Sequence, residues 1–153
     1  MLPANLVGGL AAAIERVRHF ASPADATLRA FFREHPAMGQ RDRAFIAEGT
    51  FAYLRHLRSI EALAGQASAR KLALAVAVRE LGHSVRELEG ATRAHEREWL
   101  AAFKGRLAEP LPPAVAADLP DWLWERLADV YGDARRASLA QALAAPAPFD
   151  LRV

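Results

Sequence analysis

Glu80 and His83 stand three residues apart in Glu80-Leu81-Gly82-His83, the spacing used by carboxylate-rich di-iron bundles. Such a centre needs a second Glu-x-x-His motif and two further inward carboxylates, and the chain has no second copy. Gly82 also places His83 at a helix end, where a surface or capping role is the plainer reading. His95-Glu96 lacks the second histidine that a zinc-protease helix requires. His19, His35 and His56 are single. There is no cysteine in 153 residues, which excludes disulfides, thiolate metal ligands and cysteine nucleophiles and fits a reducing compartment. Ser22, Ser59, Ser68, Ser84 and Ser138 fall mostly at helix-cap positions, and none lies in a nucleophile-elbow sequence. No glycine-rich phosphate loop occurs, since Gly8-Gly9 sits inside a helical pattern with no preceding strand. These residue types argue against an autonomous enzyme and against a metal site.

The remaining chemistry is cationic. The net charge is +2 and the sequence pI about 9.5, but the charge is unevenly spread. Residues 29–79 carry 9 Lys+Arg against 4 Asp+Glu, whereas residues 81–153 carry 9 against 11. Clustered cations in one half point to a polyanionic partner. Arginines that merely solvate helix faces would give the same count. Trp99, Trp122 and Trp124 have faces on which bases could stack. Trp99 and Trp122 lie on apolar stripes, which assigns them to a core. Trp124 is offset from Leu123 and Leu127 and suits contact with a neighbouring domain.

Helices must position these groups. Val, Ile and Thr are sparse and no segment alternates at period two, so the fold class is all-α. The patterns predict a compact bundle of about six to eight helices. The first runs over about 5–20, with Leu6, Leu10, Ala13, Ile14 and Val17 inward. Ser22-Pro23-Ala24-Asp25 opens the second, Ser22 capping and Pro23 in the first turn. The third and longest covers about 40–64, with Gly49 on its apolar stripe predicting a close crossing with another helix. Arg41, Glu48 and Arg55 share a face outside that stripe. A fourth helix opening at Ser68 is apolar on more than one side and is predicted to be the central buried one. A short helical turn spans 84–90. A helix over about 93–108 directs Trp99, Leu100, Phe103 and Leu107 inward. Glu109-Pro110-Leu111-Pro112-Pro113 is a stiff connector, too short for a domain linker. Two helices follow, one from Pro120 to Gly132 and one that Asp133 caps. Residues 146–153 form an extended exit segment, because two prolines forbid a helix there. No stretch approaches the roughly 20 apolar residues of a membrane span, and Met1-Leu2-Pro3-Ala4-Asn5 lacks the basic start of a signal peptide.

Three patches carry a family resemblance. They are Gly39-Gln40-Arg41-Asp42-Arg43-Ala44-Phe45 with Tyr53-Leu54-Arg55, then Leu119-Pro120-Asp121-Trp122-Leu123 with Tyr131-Gly132, then Pro146-Ala147-Pro148-Phe149-Asp150-Leu151-Arg152-Val153. Together they resemble the N-terminal NusB-like domain of the bacterial RsmB (Sun/Fmu) 16S ribosomal RNA cytosine-C5 methyltransferases. The first patch is shared with NusB-type proteins generally; the other two are more specific.

The resemblance implies a NusB-like helical domain over 1–145 and, at 146–153, the start of a linker to a catalytic domain lying beyond this chain. It places the S-adenosylmethionine cofactor and the catalytic cysteines in that domain, and no cofactor in this chain. It implies a cytoplasmic protein that docks on small-subunit ribosomal RNA and on its own catalytic domain, with no membrane partner. Arg41, Arg43, Arg55 and Arg58 are then the leading RNA-binding candidates, followed by Arg29, Arg33, Arg70, Lys71 and Arg79. For Arg43 an alternative stays open, in which it orients the start of the third helix together with Asp42. Trp124, Phe149 and Leu151 are candidates for a domain interface. A pure protein-interaction module and a stand-alone NusB-like antitermination factor are the competing readings.

Overall fold

A computed structural model describes residues 1–145. The exit segment 146–153, with Phe149 and Leu151, lies outside the described residues. The described chain is helical throughout, as its composition requires. It forms α1 (Ala4–Val17), α2 (Ala24–Glu34), α3 (Gln40–Arg55), α4 (Leu57–Ala64), α5 (Ala69–Arg79), a 3-10 helix (Val85–Ala91), α6 (Ala94–Arg106), α7 (Pro113–Ala116), α8 (Asp121–Tyr131) and α9 (Asp133–Ala144). None of the described helices is long and apolar enough to cross a membrane. The chain divides into two units, Met1–Glu109 and a second beginning at Pro110. The division falls inside the proline-rich connector, where prolines remove backbone donors and stiffen the chain.

The first unit is built around α5. Leu72, Ala73, Leu74, Ala75, Val76 and Ala77 are all buried, so this helix has no solvent face over its middle turns. Ser68 caps it, its side chain accepting from the Lys71 N–H. Helix α1 packs on both α5 and α3, and its own stripe of Val7, Leu10, Ile14 and Val17 is buried. Two glycines let α1 and α3 approach. A Cβ on Gly49 would stand 2.9 Å from both Leu10 methyl carbons, and one on Gly9 would stand 2.7 Å from Ile46 Cδ1. Both distances are shorter than real carbon contacts, so the crossing predicted from Gly49 exists and depends on hydrogen at that position.

Several expectations are corrected. The third helix is two, α3 and α4, because His56 leaves the helical region at φ −115°, ψ 28°. The break redirects the chain so that the Tyr53 hydroxyl donates to Glu61 Oε1 at 2.7 Å. In a straight helix those residues would be about 12 Å apart along the axis. Burial first, then the Glu61 bond, push the Tyr53 phenol above its ordinary range. With α7 as a further short turn, the described residues hold nine α-helices rather than six to eight. Ser22 does not cap α2. Pro23 takes the cap position in an extended conformation, and no side chain caps there. Asp133 is the first residue of α9 rather than its cap. Ser84 does more than predicted: it forms a reciprocal capping box with Glu87 at the start of the 3-10 helix, satisfying two otherwise orphaned donors.

In the second unit, α8 packs on α7 and α9. Helix α8 contains no buried residue. Trp122, expected inward, is 67% exposed. Leu123 and Leu127 are half-buried, so the stripe of α8 is covered on their side and not on that of Trp122. Leu107, also expected inward, is half-buried.

Candidate nucleic-acid interface

The predicted basic residues separate into those held by the protein and those left in water. The α2–α3 corner shows both kinds. Arg43 is half-buried. Its Nε donates to the Met38 carbonyl at 2.9 Å, and a terminal nitrogen donates to the Pro36 carbonyl at 3.4 Å. Its guanidinium also lies 5.7 Å from the centre of the Phe32 ring. These bonds fasten the 35–39 loop to the first turn of α3. The orienting alternative for Arg43 therefore describes its bonding, with loop carbonyls in place of Asp42.

Arg43 in turn fixes the neighbours that remain free. Arg41, in the first turn of α3, and Arg33, in the last turn of α2, are exposed and enter no ion pair among the described residues. Arg29, one turn before Arg33, is paired with Asp25. The Arg29 hydrogen bond holds the Asp25 carboxyl below the usual carboxylate range. Both members are exposed, so solvent screens the pair and an incoming phosphate can compete with Asp25. Ala26, Arg29 and Arg33 line an open hollow on α2. Behind them, Arg16 of α1 bonds Glu34 at 2.6 Å, which fixes α2 against α1 and holds Glu34 below its ordinary range.

Further along, the candidates are drawn into the fold, and most of them bond within it. Arg55 and Arg58 are half-buried, although Arg55 shares with Arg41 a face outside the apolar stripe. The Arg55 Nε is buried without a hydrogen-bond partner among the described residues, and Arg58 is not a free cation. Lys71 stands 5.4 Å from the Trp99 ring centre. Trp99 is stacked on Phe103 at 5.4 Å. Arg79 donates to Ser59 Oγ at 2.7 Å and pairs with Glu80 at 3.2 Å. Glu80 also faces His56 Nε2 at 3.4 Å. Both carboxylate oxygens are thus occupied, and the described residues contain no group of three metal-ligating side chains. His83 lies beyond the end of α5, with its ring 5.9 Å from that of Phe45.

Arg70 is the most deeply committed. Its Nε donates to Glu96 Oε1 at 2.6 Å, and a terminal nitrogen donates to the Ala91 carbonyl at 2.6 Å and to Glu96 Oε2 at 3.3 Å. The Glu96 side chain is 3% exposed and also accepts from the Arg93 N–H at 2.8 Å. Burial alone would raise the Glu96 pKa. The Arg70 and Arg93 bonds outweigh it, and the group titrates below its ordinary range. This pair ties α5, the 3-10 helix and α6 together. The buried glutamate was not anticipated, although its position three residues after Arg93 is the capping-box spacing.

In the second unit, Trp124 is half-buried and covered by the Arg136 guanidinium, 4.2 Å from the ring centre. Arg136 also bonds Asp133 at 2.6 Å. The large exposed apolar groups of α8 are instead Trp122, Val130 and Tyr131. No family model matches the chain, and no curated protein or solved structure matches it.

Proposed function

We propose that this chain is an accessory RNA-binding and domain-docking module of an S-adenosylmethionine-dependent 16S ribosomal RNA cytosine-C5 methyltransferase. In this reading the module precedes a separate catalytic domain that holds the cofactor and the nucleophile. The observation that carries the RNA-binding part is the pair of uncommitted guanidinium groups at the α2–α3 corner. Arg33 and Arg41 are exposed, and the Arg43 bonds to Met38 and Pro36 hold the corner between them in shape. Guanidinium groups presented on a rigid frame suit phosphate oxygens, which position a nucleic acid without reading its bases. The methyltransferase assignment rests on the three sequence patches.

The test is binding of a labelled small-subunit ribosomal RNA fragment to the whole chain, followed by fluorescence anisotropy across a salt series. The expected result is saturable binding that weakens as salt rises, with a slope near −0.7 per phosphate contact for single strands. Absence of binding at low salt would overturn the RNA-binding reading. A second reading, a protein-docking module without RNA affinity, is favoured by one observation: α8 exposes Trp122 at 67%, Val130 at 56% and Tyr131 at 48%. The same titration separates the two.

A further inference from the structure

Helix α6 carries a line of cations that the charge count of the rear half conceals. Arg93, at its cap, and Arg97 and Lys104 within it are all exposed. At about 100° per residue they fall within about 40° of one another around the helix, and they span about 16 Å along its axis. None of them enters an ion pair among the described residues.

Some arginines of this protein pair with an acid one turn away. Arg18 has Glu15, Arg29 has Asp25 and Arg136 has Asp133. Arg97 and Lys104 have no such acid. The residues three and four positions from Arg97 are Arg93, Ala94, Leu100 and Ala101; those from Lys104 are Leu100, Ala101, Leu107 and Ala108. The one acid within reach of Arg93 on this helix is Glu96, and its carboxylate is buried and bound to Arg70. Glu98 sits about 100° around the helix from Arg97. Arg97 and Lys104 therefore carry charge that no acid one turn away offsets, while Arg93 at the head of the line acts in part on the buried Glu96; the small Ala101 lies between Arg97 and Lys104. The Arg70–Glu96 bond holds α6 in place on α5.

We infer that this edge of α6 is a second contact for RNA, binding the sugar-phosphate backbone of a single strand through Arg93, Arg97 and Lys104. The inference rests on the RNA-binding reading above and extends it to a helix that sequence reading left out. Charge complementarity carries it, and backbone contacts of this kind need no base recognition.

The experiment uses the whole chain and a 5′-fluorescein-labelled single-stranded RNA 20-mer of mixed sequence, with anisotropy read from low to high salt. Two variants are compared with the parent: Arg97→Gln/Lys104→Gln, and Arg33→Gln/Arg41→Gln. All four side chains are exposed, and circular dichroism checks that the fold is kept. Losing two phosphate contacts should lower the salt slope by about 1.4 and weaken binding about 20-fold near 0.1 M salt. That result for Arg97→Gln/Lys104→Gln supports the α6 site. If the parent binds and only the Arg33/Arg41 variant weakens, the α6 inference is overturned and the RNA-binding reading stands. If the parent does not bind, both fail.

Discussion

Arg70 and Arg41 are both arginines in the basic front half of the chain, and they do opposite work. Around α5, Arg70, Lys71 and Arg79 lie against Glu96, Trp99, Ser59 and Glu80, and their charge is consumed in holding helices together. At the α2–α3 corner, Arg33 and Arg41 are exposed and enter no ion pair among the described residues, and Arg33 adds only a minor pull on its neighbour Glu34, which Arg16 already holds. The difference shows that the 9 basic residues counted over 29–79 overstate the charge available to a polyanion. The α6 edge shows the converse, since Arg93, Arg97 and Lys104 lie in a stretch whose balance is acidic. Where a cation's nearest acids point, rather than how many acids share its segment, decides whether it is free.

That contrast makes graded predictions. Arg70→Met should have the largest effect on stability, about 3 kcal/mol near pH 7, because it leaves the Glu96 carboxylate buried and unpaired. The pH dependence follows from the shift of Glu96. In the native protein its pKa is depressed below the ordinary 4.5, so its contribution is present above that pH and is lost as pH falls further. In Arg70→Met burial is opposed only by Arg93, so the pKa rises from its native position and the deficit should shrink as pH drops toward 4. Urea melts at both pH values measure this.

Gly49→Val comes next, at about 2 kcal/mol by thermal or urea denaturation. Its new carbon would meet Leu10 at 2.9 Å, and Leu10 is fully buried, so its side chain must shift against the surrounding core. Arg43→Met should cost about 1.5 kcal/mol through lost charged hydrogen bonds to the loop carbonyls. It should also weaken RNA binding indirectly, by loosening the corner. Arg33→Gln and Arg41→Gln should change stability by no more than about 0.5 kcal/mol, as exposed positions do, and reduce RNA binding.

Much of this fold was legible in the residue pattern. The buried α5 followed from apolar residues on several of its faces, and the α1–α3 crossing from Gly49. The break at His56 was not legible. The apolar stripe continues across it, and its cause is tertiary: Tyr53 reaching Glu61 and His56 facing Glu80. Trp122 was misread for a related reason. An apolar stripe states which side of a helix could be covered, not how much protein is there to cover it. The candidate site was the least legible part. Spacing put Arg41 and Arg55 together on a face outside the stripe, of which Arg41 is exposed and Arg55 half-buried, and it left Arg43 between two roles. It could not show that Arg70 ends on a buried glutamate 26 residues away.

The most direct test of the division between committed and free arginines is the salt dependence of RNA affinity in Arg33→Gln/Arg41→Gln. The account predicts a slope lower by about 1.4 than that of the parent chain, with an unchanged melting temperature. An unchanged slope, or a loss of binding that tracks a loss of fold, would contradict it.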